Sequence, residues 1–126
     1  MSKWKWNNIE LEIDMEDYEF LIKYENAFHK MGIKEKELSK VGKNAEMIKS
    51  YCDMFYELFD DIFGLGTGQK LFDGKRNARI CEECYGSFIK ACVDCNMNAN
   101  KRRSDLLRLY QPNREQRRKQ YYRSRK

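Results

Sequence analysis

Apolar and polar residues alternate at the start of the chain. In "KWKWNNIELEID" Trp4, Trp6, Ile9, Leu11 and Ile13 share one parity on each side of an Asn-Asn pair. A period of two with a central turn predicts a short β hairpin, or a single extended arm, over residues 1–13. Such a piece is marginal alone and needs a helix or a second chain over its apolar face. The period then changes: Tyr18, Leu21, Ile22, Glu25 and Phe28 step by three and four, the stripe of an amphipathic helix. Asp14 reads as its N-cap, Glu16 and Asp17 as its acidic first turn, and Gly32, just after Met31, as its stop. A second helix begins between Lys34 and Lys43 and runs to Phe63, with Met47, Ile48, Tyr51, Cys52, Phe55, Leu58, Phe59 and Ile62 on a broad apolar face. "GLGTGQK" ends it, and its glycines make residues 64–68 the best candidate for a mobile joint. "TGQKLFDG" supplies one or two helical turns that pack Leu71 and Phe72. A third helix starts near Asn77 and ends near Tyr110, before "QPN".

The fold expected from these periods is mainly α: a three-helix domain over residues 1–110, with a β element at 1–13 and helices over 14–110. A disordered basic tail follows at 111–126.

Within the third helix lies "CEECYGSFIKACVDC", residues 81–95, two C-x-x-C pairs that look like a zinc site. Zinc needs four thiolates in a tetrahedron, with sulfurs about 2.3 Å from the ion. On one continuous helix Cys81 and Cys95 stand about 21 Å apart along the axis, too far for one ion. A break at Gly86-Ser87 would be required. The alternative is packing: Cys81, Cys84, Phe88, Cys92 and Cys95 step by three, four, four and three, and a free cysteine behaves as a small hydrophobe. The packing reading is favoured, with Cys81, Cys84, Cys92 and Cys95 as the metal alternative. Redox or disulfide chemistry is a third possibility.

Composition adds limits. A chain of 126 residues holds one domain, and 36% charged against 41% hydrophobic residues leaves only a modest core. The single Pro and seven Gly argue against an all-β sandwich. No apolar run is long enough to span a membrane, and "MSKWKWNN" lacks the apolar core of a secretory signal. With five cysteines, an odd number, reduced thiols in a cytoplasmic setting are expected. No cofactor motif is present: "GLGTGQK" follows a helical pattern and matches no phosphate-loop spacing. His29, the only histidine, has no catalytic partner at a recognisable spacing, and Asp53, Asp60 and Asp61 fall on a solvated helical face. The chain reads as a non-enzyme.

Charge is distributed unevenly. Residues 100–126 hold eleven Lys or Arg against two acids, a net of +9, whereas residues 1–99 carry a net of −4. Arg102, Arg103, Arg114, Arg117, Arg118, Lys119, Arg123 and Arg125 with Tyr121 and Tyr122 suit either an acidic protein partner or nucleic acid. The aromatic load is high for a small helical domain, and Trp4, Trp6, Phe55, Phe59 and Phe63 exceed what three helices need. They are the candidate partner-binding face, which also implies self-association.

"NNIELEID", "FYELFDDIFGLGTGQKLFDGKRN" and the closing "YQPNREQRR" together resemble a small family encoded in tail modules of phages and prophages of Gram-positive bacteria. Its members are similar to tail assembly chaperones; the cysteines lie outside the shared pattern. The resemblance implies a helical, non-enzymatic protein in the cytoplasm of a bacterial host, engaging a long tape-measure-type tail protein. It assigns no client-contacting residues. A nucleic-acid-binding regulator using the basic region and a zinc-binding adaptor are the alternatives.

Overall fold

The computed structural model describes residues 2–38, 42 and 44–124, with side chains described through Leu109. The first residues form the hairpin form of the β element: β1 (Ser2–Trp6) and β2 (Ile9–Ile13) pair antiparallel, Trp4 opposite Leu11 and Trp6 opposite Ile9. Asn7 and Asn8 both take positive φ, 49° and 60°, the two-residue turn whose twist suits paired strands and which Asn tolerates well. The pleat places Trp4, Trp6, Ile9, Leu11 and Ile13 on one face, while Lys3, Lys5, Glu10 and Glu12 stand exposed on the other.

Helix α1 (Tyr18–Leu38) starts later and ends later than its pattern predicts. Asp17 is the cap, its Oδ2 accepting the Phe20 N–H at 2.9 Å. Asp14 instead shapes the preceding turn, accepting the Glu16 N–H at 3.1 Å. Gly32 does not stop the helix. A glycine inside a helix costs about 1 kcal/mol, and packing by Met31 and Leu38 on either side outweighs it.

Helix α2 (Asn44–Phe63) is the central element and buries Cys52, Met54, Phe55, Tyr56, Leu58, Phe59 and Ile62. It packs against α1 and against the two helices that follow it. Lys30 of α1 bridges Glu57 at 3.6 Å and Asp61 at 3.2 Å, and Lys34 pairs with Glu57 as well.

The glycine segment forms a hydrogen-bonded turn. Gly64 and Gly66 take φ of 116° and 90°, so glycine is required by the backbone. The Thr67 hydroxyl donates to the Gly64 carbonyl at 2.7 Å, and Asp60 Oδ1 accepts the Gly68 N–H at 2.8 Å. A Cβ on Gly68 would stand 2.8 Å from Tyr56 Cα, so this residue lets α3 (Thr67–Phe72) lie directly on α2.

Helix α4 (Ala78–Ser124) opens on Asn77, whose Oδ1 accepts the Ile80 N–H at 3.1 Å. Its helical backbone runs past the expected end near Tyr110 and on through Pro112. The expectation of a disordered tail falls on residues 111–126. The side chains there, including those of Arg114, Arg117, Arg118, Lys119 and Arg123, lie outside the described residues, and Arg125 does so entirely.

The hairpin lies over α2 and α4. Trp4 sits at the centre, with ring centroids 5.4 Å from Phe59, 6.1 Å from Phe63 and 5.1 Å from Phe88. Its indole N–H donates to Ser87 Oγ at 3.0 Å, satisfying the one polar atom of a buried ring.

Candidate functional site

The aromatic residues expected to form an uncovered partner face are spent inside the molecule. Trp4, Phe55 and Phe59 are 3%, 2% and 0% exposed, and Trp6 and Phe63 are half-buried. The correction has a simple cause: the hairpin folds back onto helices more than 40 residues away, supplying the cover that three helices alone would lack. Nothing local in the sequence says where a hairpin docks.

The cysteines form a seam. Cys81, Cys84, Cys92 and Cys95 are all buried on the face of α4 that also carries Phe88 and Ala99. The helix does not break at Gly86, so the sulfurs spread along about 21 Å of rod. Among the described residues no group of three or more His, Cys, Asp or Glu is placed to hold a metal ion. Burial, with smaller contributions from neighbouring thiols, pushes Cys81 and Cys92 up to about 12 and Cys84 higher still. Thiols held protonated at neutral pH are poor nucleophiles and poor ligands. They pack in the core, and the Cys95 thiol leans on the Ile13 carbonyl at 3.9 Å, joining the seam to the hairpin.

The aspartates expected on a solvated face are each employed. Asp60 caps α3, Asp61 pairs with Lys30, and Asp53 accepts from Arg76 Nε at 2.9 Å while the Arg76 guanidinium lies 4.0 Å above the Tyr56 ring. His29 is exposed beside Lys23, Asn26 and Lys30, with no described hydrogen bond.

The arrangement that remains is on α4. Arg102 and Arg103 both pair with Glu16, Arg103 at 3.4 Å, and this clasp is the last described ion pair between α4 and the body. In sequence Glu16 is no more than a first-turn acid; its part in the clasp depends on a contact 86 residues away. Beyond the clasp the seam spacing continues on an exposed face: Leu106, Leu107 and Leu109 are 56%, 58% and 73% exposed. The helical backbone continues to Ser124. A second apolar surface lies at the other end of α4. Leu38, Met47, Ile48, Tyr51, Ala78 and Glu82 line a groove of about 370 Å³, with Met47 and Ile48 39% and 41% exposed.

No described helix is long and apolar enough to cross a membrane. No curated protein and no solved structure matches the chain. A family model matches residues 7–121, from the hairpin turn through most of α4, and the chain therefore belongs to that family, DUF6673, a family of unknown function.

Proposed function

We propose that the chain is a non-enzymatic binding protein that holds a long helical client, in the manner of a phage tail assembly chaperone acting in the cytoplasm of its bacterial host. The observation that carries this reading is the form of α4: a core helix that leaves the body at Arg103 and continues as a basic arm. An arm of this kind presents charge and apolar surface, which suits adhesion to an extended partner. The titratable groups fit the same view, since the buried thiols are held protonated and the aspartates are tied into structure. The resemblance to phage tail-module proteins supplies the client class, a tape-measure-type protein.

The test is co-expression of the full chain with a tape-measure-type tail protein, followed by affinity capture at moderate salt. Retention of the client by the full chain and its loss on deletion of residues 111–126 support the reading. A nuclease-sensitive complex with a high 260/280 nm absorbance ratio would support the nucleic-acid alternative instead.

A further inference from the structure

Two surfaces left uncovered among the described residues complement each other and lie too far apart to meet within one chain. One is the root of the arm, where Leu106 and Leu109 continue the seam beside Lys101 and Arg108, next to the Arg102 and Arg103 that pair with Glu16. The other is the groove between the end of α1, the start of α2 and the first turns of α4. Its floor is Leu38, Met47, Ile48 and Ala78, and its wall is Tyr51, whose hydroxyl donates to Glu82 Oε2 at 2.9 Å. Burial, then the hydrogen bond and charge of Glu82, push the Tyr51 phenol up to about 12, and Glu82 is the carboxylate that lines the groove.

From Glu82 to Leu106 is 24 residues of one helix, about 36 Å. The arm of a chain therefore cannot fold into its own groove. Nor do two arms suit each other, since residues 104–126 carry eight basic residues against two acids and would set like charges side by side.

We infer that the root of the arm, Leu106 and Leu109 with its basic flanks, docks into the Glu82-walled apolar groove of a second copy of this chain. The contact joins different surfaces of the two copies, so each dimer retains one free arm and one free groove and growth continues head to tail. This rests on the reading of α4 as a binding arm but assigns its root to self-association, leaving residues 111–126 for the client.

The test is sedimentation equilibrium of the purified, nuclease-treated full chain across concentration and salt. The expected result is a weight-average mass that rises with concentration from that of one chain, more weakly at high salt. Leu106→Asp with Leu109→Asp, and separately Met47→Asp with Ile48→Asp, each weaken association by about tenfold or more. All four side chains are exposed, and circular dichroism identifies any variant that has lost its fold. Glu82→Lys is the milder groove variant and weakens association in the same direction. The decisive arm mixes the two double variants: each contributes its intact surface, so the mixture forms a one-to-one dimer and nothing larger. A parent that stays a single chain at every concentration overturns the inference. So does a mixture that fails to dimerise while the parent associates, since that indicates a symmetric contact elsewhere. Client capture is read separately, with the 111–126 deletion, so either proposal can fail without the other.

Discussion

Replacing Gly68 by alanine separates two physical effects that have opposite signs. On helix propensity alone the change stabilises, because alanine is favoured over glycine by up to about 1 kcal/mol inside a helix. In this fold the new Cβ would meet Tyr56 Cα at 2.8 Å, Tyr56 O at 2.9 Å and the Tyr56 ring at 3.1 Å. Two of those three atoms are backbone of the central helix and cannot rotate away. Relief requires α3 to lift from α2, loosening Leu71 and Phe72, which are 1% and 3% exposed. Overpacking of a dense core costs about 1–3 kcal/mol, so the net expectation is a loss of about 1–2 kcal/mol. Gly32→Ala is the internal control. It sits inside α1, nothing lies within 4 Å of the place its new methyl group would take, and the change stabilises by about 0.5–1 kcal/mol. Urea unfolding followed by circular dichroism, under reducing conditions, reads both variants on one scale. A Gly68→Ala protein as stable as the parent, or more so, refutes the argument that this glycine exists for close approach.

Trp4→Ala removes a fully enclosed ring and strands the Ser87 hydroxyl, and is expected to cost about 3–5 kcal/mol in the same assay; a cost under about 1 kcal/mol would return Trp4 to the role of a partner-binding residue. Stability is expected to fall as pH rises from about 9 towards 12. The native state keeps the thiols of Cys81, Cys84 and Cys92 protonated while the unfolded chain releases them, at up to about 1.4 kcal/mol per pH unit for each thiol; a flat profile over that window would show that these groups are not held in the core. Deleting residues 111–126 is expected to change unfolding free energy by no more than about 0.5 kcal/mol, because the helix has already left the body where Leu106 and Leu109 become exposed; a large drop in melting temperature would contradict this.

The periodic parts of the chain are legible from sequence. Alternation around Asn7-Asn8 predicts a hairpin or an extended arm, and the chain takes the hairpin; the three-four spacing of Cys81, Cys84, Phe88, Cys92 and Cys95 favours a buried seam on one helix, and these residues are buried there. Both signals are local, fixed by the repeat of the element itself. What stays hidden depends on contacts distant in sequence. The aromatic residues look surplus because the docking of Trp4 against Phe59 and Phe88 has no local signature. Gly32 and the segment 64–68 show the ambiguity of glycine, which marks a stop, a hinge or a close approach according to what lies beside it. By spacing alone Met47 and Ile48 belong with the core face of α2, but α1 ends at Leu38 and does not cover them. The candidate interaction surfaces are thus the places where an apolar pattern outlasts its cover, which a sequence displays only as more of the same pattern.

The hairpin also sets the order in which the molecule is able to form. Its turn is tethered by Asn7 to the Lys70 carbonyl and to Asp73, its indole to Ser87, and its last strand to Cys95. During synthesis the hairpin, made before the elements it packs on, therefore waits for Lys70, Asp73, Ser87 and Cys95 before it finds its seat. Until then Trp4 and its neighbours remain unsheltered on the nascent chain, and the body matures only with the arrival of α4.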